Sequence, residues 1–320
     1  LWHTLNMVYH SKILQIVIAK TANLVPGGGI WMNTQRPEWN DANNALAGYG
    51  LSMVTLYYLY RMISFLKKLI EASASESFAL PQETAVFLEE MFKLYKGTDP
   101  STVQKWTDAA ACKNRKAFVD IEGMLFQTQR EALYANGHST TEEKLSKAEL
   151  LEGFAVIMKH LEATIDANKR PDGLYHAYNI LHISDDSMAV SDLTLMLEGQ
   201  VAALSSGYLS AKDVAQMTKA LKASPLYVAD RNTYILYPDK ELPLFWDKNN
   251  FAFEKIQNIP AVTKLMTAGC SRIFVCDDKN PAADSICHFN SDFRNVDFMR
   301  QAFAEIEAAT PDMLTPADEK

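Results

Sequence analysis

The chain has 320 residues, 48% of them hydrophobic and 22% charged, a balance that can bury a core and excludes disorder as the main state. Thirty-one basic against 39 acidic residues leave a formal net charge of −8, which argues against a broad nucleic-acid-binding face and leaves neutral ligands, sugars above all, in play. In chain order, Leu5, Val8, Tyr9, Leu14 and Ile16–Ile18 predict a first helix, closed by Pro26 and Gly27–Gly29. A second, longer helix is expected from about Ala42 to Ala72, and a third from Pro81 to Gly97. A fourth opens near Asp99, with Pro100 in its first turn, and ends at Asn136-Gly137. The fifth covers Thr141–Asn168, with Leu150, Phe154, Ile157 and Leu161 at helical spacing.

After Pro171 the texture changes. Asp172–Ile183 reads as a loop and Leu193–Leu204 as a short apolar helix. Ser210 caps a helix over Ala211–Lys222, with an acid three residues on. Ser224–Asn258 is rich in loops, Ile273–Cys276 and Ser285–Asn290 pair as a small hairpin, and Val296–Ala308 forms a last helix before a frayed tail. Successive helices joined by long, chemically loaded loops point to an all-α fold, an (α/α)6 toroid or partial toroid, occupying 1–309, with 310–320 as the tail.

The uncharged run Ala45–Tyr60 is shorter than a membrane span and reads as a buried core helix. No secretory leader is visible at Leu1–Val25, which leans toward a cytoplasmic setting. Four cysteines are too few for a disulfide scaffold, and Cys270, Cys276, Cys287 and His288 lack zinc-site spacing, so the thiols are expected to be unconnected and no metal is expected.

The most informative text is Trp31–Gly50, between a glycine-rich break and an apolar helix. Trp31 and Trp39 lie close to Glu38 and Asp41, among Asn33, Arg36, Asn40 and Asn44. Flat apolar rings for the C–H face of a pyranose, with planar amides for its hydroxyls, are what a carbohydrate site needs. Glycosidic cleavage adds an acid whose pKa is raised by apolar neighbours. Asp41 also stands where a plain N-cap would stand. A second loaded segment, Arg170–Ile183, offers Tyr175 and His176 either as sugar contacts or as an internally satisfied connector. In Leu195–Gly207, Glu198 and Gln200 interrupt an apolar run. Glu198 is the candidate base opposite Asp41, with a structural ion pair as the alternative, and Gln200 is a candidate sugar contact.

The run Trp39-Asn40-Asp41, then Asn43-Asn44, glycine and Ser52 before an apolar helix, resembles the W-N-D-G-M-N…G…G-E-S segment of the cellobiose and chitobiose phosphorylases of glycoside hydrolase family 94. That family is inverting and built on an (α/α)6 toroid. The resemblance implies that Asp41 is the general acid and that Trp39 lines the adjoining sugar subsite. Ala42 stands where the family has glycine, Asn43-Asn44 where it has Met-Asn, and the family's phosphate-binding histidine and glycine-threonine loop have no counterpart here. The expectation is therefore an inverting enzyme that cleaves an oligosaccharide, by hydrolysis or with inorganic phosphate as co-substrate, and that works without a cofactor, a membrane or nucleic acid, with further domains of a longer chain as its possible partners. A non-catalytic helical scaffold that binds carbohydrate is the alternative from another class.

Overall fold

Ser52 fixes the start of one central helix: its hydroxyl accepts the Thr55 amide at 3.0 Å, and Met53, Leu56, Tyr57, Tyr60, Ile63 and Leu66 then bury one stripe of Met53–Ala72. The computed structural model describes residues 2–33, 45–137, 139–244, 248 and 250–310, with side chains from residue 12 onward. Backbone contacts divide the chain into two units, Leu1–Asp239 and Lys240–Lys320.

The first unit runs α1 (Trp2–Thr21), β1 (Leu24–Val25), β2 (Gly29–Trp31), β3 (Gly50–Ser52), α2 (Met53–Ala72), β4 (Ser77–Pro81), α3 (Gln82–Gly97), α4 (Ala109–Asn136), β5 (Glu142–Ser146) and α5 (Lys147–Ala167). It continues with β6 (Tyr178–Ile183), β7 (Met188–Asp192), α6 (Leu197–Ser205), α7 (Ala211–Ala223), β8 (Tyr227–Val228) and β9 (Thr233–Tyr234). Helices α2, α3, α4 and α5 pack on one another around Tyr57, Leu88, Phe118 and Phe154. The strands β1-β2-β3-β6-β7 form one antiparallel sheet in that order, and β4 pairs with β5.

An all-α toroid is thus overturned: the fold is mixed α/β, with four sheets among the described residues. Three predicted helices lose several residues to strands or turns, and the third in chain order gives up Pro81 to β4. In the second, Leu46–Ser52 is turn and strand and the helix runs from Met53, because Gly50–Ser52 is extended between β2 and β6. A Cβ at Gly50 would lie 2.4 Å from the Leu46 Cβ, so that close approach needs glycine. The fourth is split. Asp99 caps only a 3-10 turn at Pro100–Thr102, and α4 has its own cap in Asp108, whose side chain accepts the Ala111 amide at 2.9 Å. The fifth starts at a capping box, where Ser146 accepts the Glu149 amide and Glu149 accepts the Ser146 amide. The residues before that box are strand β5. Asp172–Ile183 yields β6, which pairs with the unforeseen β7.

A buried polar cluster ties helices to sheet at the Pro26–Gly29 turn. Arg115, 0% exposed, donates to Pro26 O at 2.7 Å, Met188 O at 2.5 Å, Lys105 O at 2.5 Å and Trp106 O at 3.4 Å. Trp106 Nε1 and Asn168 Nδ2 donate to Gly27 O, and Asn179 Nδ2 to Gly28 O. Gly27 has φ +78°, and a Cβ there would lie 2.1 Å from Gln104 O. Gly27→Ala is expected to cost about 2–3 kcal/mol, checked by thermal unfolding beside Gly97→Ala, where added carbon meets nothing within 4 Å.

The second unit holds β10 (Asn250–Ala252), a 3-10 turn at Phe253–Lys255, α8 (Pro260–Thr267), β11 (Phe274–Cys276), β12 (Ile286–Phe289) and α9 (Val296–Ala309). The expected hairpin is present as β11–β12, and β10 pairs along the other edge of β12. The expectation of unconnected thiols is corrected here, since Cys276 and Cys287 form a disulfide. Cys112 and Cys270 are free. Among the described residues, no helix is long and apolar enough to cross a membrane.

Candidate functional site

Antiparallel pairing of β2 with β3 brings together the two ends of the motif-bearing segment. Met32 donates its amide to Gly50 O at 2.9 Å, and Gly48 donates to Met32 O at 2.6 Å. Arg36, Glu38, Trp39, Asn40, Asp41 and Asn44 lie outside the described residues. What is described is the stem that carries them and its surroundings.

Beside the stem is a cleft of about 680 Å³. It is lined by Lys20 and Asn23 at the end of α1, Trp31 and Asn33 around β2, Thr55 of α2, and Gln127, Arg130 and Tyr134 of α4. Trp31 Nε1 donates to Gly48 O at 3.1 Å, which fixes the indole against the stem. Asn33 Nδ2 donates to Asn23 Oδ1 at 2.5 Å, and Asn23 Nδ2 to Ala19 O at 2.7 Å, so this amide pair is held in place. Among the described lining residues there are two cations and no carboxylate, in a chain of formal net charge −8. Rings, amides and cations together suit sugar hydroxyls and an oxyanion.

Met32, which also lines the cleft, and Leu46 pack with Ala177, Tyr178, Ile180, Leu193 and Met196. Glu198, half-buried in the first turn of α6, accepts a hydrogen bond from the Tyr178 hydroxyl at 2.9 Å. Ser52, Tyr178, Ile180 and Ser191 share one sheet face through the β3–β6–β7 register, and His182 Nε2 lies 2.8 Å from the Ser191 hydroxyl.

The other sequence candidates are placed in the interior. Gln200, 0% exposed, accepts the Tyr175 amide at 2.9 Å and donates to Tyr175 O at 2.7 Å and Met196 O at 3.0 Å. Tyr175 is buried and meets the Tyr57 ring edge-on. His176 packs on Trp106 with ring centres 5.2 Å apart, and its Nδ1 is buried without a hydrogen-bond partner among the described residues. Burial, followed by the charge of Arg170, pushes the His176 imidazole below its ordinary pKa. The structure therefore brings Trp31 to the cleft and Glu198 to the Tyr178 hydroxyl, while Tyr175, His176 and Gln200 are buried. Gln127, Arg130 and Tyr134 were not singled out from the sequence. Their three- and four-residue spacing along the fourth predicted helix was the available signal.

Residues 242–320 match the family model described as GH149 phosphorylase insertion domain 2. The matched stretch begins two residues into the second unit. No curated protein matches the chain. The match supports a glycoside phosphorylase-like family and carbohydrate-enzyme character; it does not single out the cellobiose phosphorylases.

Proposed function

We propose that this chain belongs to an enzyme that cleaves a glycosidic bond of an oligosaccharide with inorganic phosphate as the attacking group. The observation that carries this reading is the phosphorylase-domain match over 242–320, together with the Trp39-Asn40-Asp41 motif of the first unit. In this reading Asp41 passes its carboxyl proton to the leaving glycosidic oxygen. A phosphate oxygen attacks the anomeric carbon from the opposite face, and the products are a sugar phosphate of inverted configuration and a shortened saccharide. Trp39 and Trp31 shape the sugar subsite, Arg36, Glu38, Asn40 and Asn44 are its polar contacts, and Lys20 and Arg130 make the cleft hospitable to the phosphate group. Glu198 favours a second reading, hydrolysis, in which it is the base that activates water; phosphate attack needs no such base.

The two readings separate in one assay. Sugar phosphate and reducing sugar are measured from a panel of oligosaccharides, with and without inorganic phosphate. Phosphorolysis predicts release only with phosphate, lost at least about a hundredfold in Asp41→Asn and changed only a few-fold in Glu198→Gln. Release without phosphate that disappears in Glu198→Gln establishes hydrolysis and overturns the first reading.

A further inference from the structure

The second unit has a small core, with Val262, Leu265, Ile273, Phe274 and Ile306 among its few buried apolar side chains. A unit of this size gains little from burial alone, and cross-links commonly make up the difference. Its central strand is β12, which pairs with β10 on one edge and β11 on the other. The β11–β12 ladder covers only Phe274–Cys276 opposite Cys287–Phe289, and the disulfide joins its last directly opposed pair, Cys276 and Cys287.

The bridge also closes a chain segment that holds the other edge. Within it, Ser285 O accepts the Phe253 amide and Ala283 O accepts the Glu254 amide, each at 2.9 Å. These bonds anchor the 3-10 turn that follows β10. One covalent link thus constrains both neighbours of the central strand. Cys287 is 0% exposed, whereas Cys276 is half-buried, so attack from solution falls on the Cys276 sulfur.

We propose that the Cys276–Cys287 bridge is a redox latch for the second unit. A dithiol reductant attacks Cys276 Sγ, the S–S bond breaks, and Cys287 leaves as a thiolate that takes up a proton. The second thiol of the reductant then attacks the reductant's own sulfur in the mixed disulfide, and Cys276 leaves as a thiolate that is protonated in turn. Two electrons and two protons pass to the protein, two cysteine thiols form, and the reductant departs as its own disulfide. Opening a loop of sequence separation 11 is expected to lower the folding constant of the unit about a hundredfold. The closed latch belongs to an oxidising compartment and the open one to a reducing cytosol.

The test uses the full chain prepared without reductant, then treated with dithiothreitol. Alkylation should count two thiols before treatment, Cys112 and Cys270, and four after it, the total in the chain. Hydrogen exchange should show amides of β10–β12 losing about a hundredfold protection on reduction, while those of α2 and α5 keep theirs. The Cys276→Ser, Cys287→Ser double variant should reproduce the reduced pattern with no response to dithiothreitol. Four thiols in the untreated protein overturn the proposal. So does unchanged β10–β12 protection in the fully reduced chain.

Discussion

Arg115→Met is expected to lower the unfolding free energy by about 3–5 kcal/mol. The guanidinium reaches carbonyls from three separate stretches of chain: Pro26 before the glycine turn, Lys105 and Trp106 ahead of α4, and Met188 at the start of β7. No ion pair among the described residues includes Arg115; its partners are backbone carbonyls, which no mutation removes, and the Cys112 sulfur, 3.7 Å from Nη1. A methionine fills much of the volume but leaves buried carbonyls without donors, each costing about 1–3 kcal/mol before relaxation. Arg115→Lys separates charge from geometry. A single ammonium cannot span the same fork of acceptors, so lysine is expected to recover less than half of the loss. Urea unfolding of the three proteins, followed by tryptophan fluorescence, measures both steps. A methionine variant within about 1 kcal/mol of the parent would show that the turn does not depend on this clamp.

The same arginine shows what the sequence could and could not convey. Two helix ends were legible from local signals: Ser210 accepts the Asp213 amide as its spacing predicted, and Gly137, with φ +69°, ends α4 where Asn136-Gly137 signalled a stop, whereas the caps Asp108 and Ser146 were missed. The five-stranded sheet was not legible. Its strands at Leu24–Val25, Gly29–Trp31 and Gly50–Ser52 are too short for alternation to register, and their pairing is decided by long-range contacts such as Asn179 to Gly28 O. β5 was hidden differently. Glu142–Ser146 carries the capping serine of α5, so the helical pattern that begins beyond it spread backwards over a polar strand. At the site, Trp31 was legible as a ring beside a glycine break. The lining residues of α4 were not, because nothing local to Gln127 or Arg130 reveals that α1 and β2 stand across from them. The disulfide escaped for the same reason: Cys276 and Cys287 pair only through strand register, which counting cysteines does not supply.

Glu122 sets the second large effect, in the pH dependence of stability. It sits on α4 beside Val119 and Gly123, which line the cleft, yet it is 2% exposed. Its Oε1 accepts the Tyr95 hydroxyl at 2.6 Å, and that hydroxyl also approaches Thr21 O at 3.2 Å. Burial raises the carboxyl well above its ordinary pKa, and the Tyr95 hydrogen bond offsets only part of this. The other titratable groups packed here do not supply a compensating cation. Burial first, then Glu122, pushes the Tyr95 phenol up, while burial pushes down the imidazole of His160, which bonds Tyr95 O. The sign follows directly. Below the unfolded pKa, near 4.3, both states hold the proton and stability is greatest. Above it the unfolded chain loses the proton while the folded one keeps it, so stability falls as pH rises, until the folded pKa is passed. The slope in that window is about 1.4 kcal/mol per pH unit. Glu122→Gln matches the protonated acid in shape, keeps an acceptor for Tyr95, and removes the titration. Urea unfolding at intervals from pH 5 to 8 should therefore show the parent losing stability relative to Glu122→Gln, with the variant the more stable at the alkaline end. Parallel curves would mean that the folded carboxyl is ionised across this range. Because Glu122 lies behind the cleft wall, the loss should reach the cleft as well, seen as amide exchange in α4 quickening with pH beyond its intrinsic dependence in the parent but not in the variant.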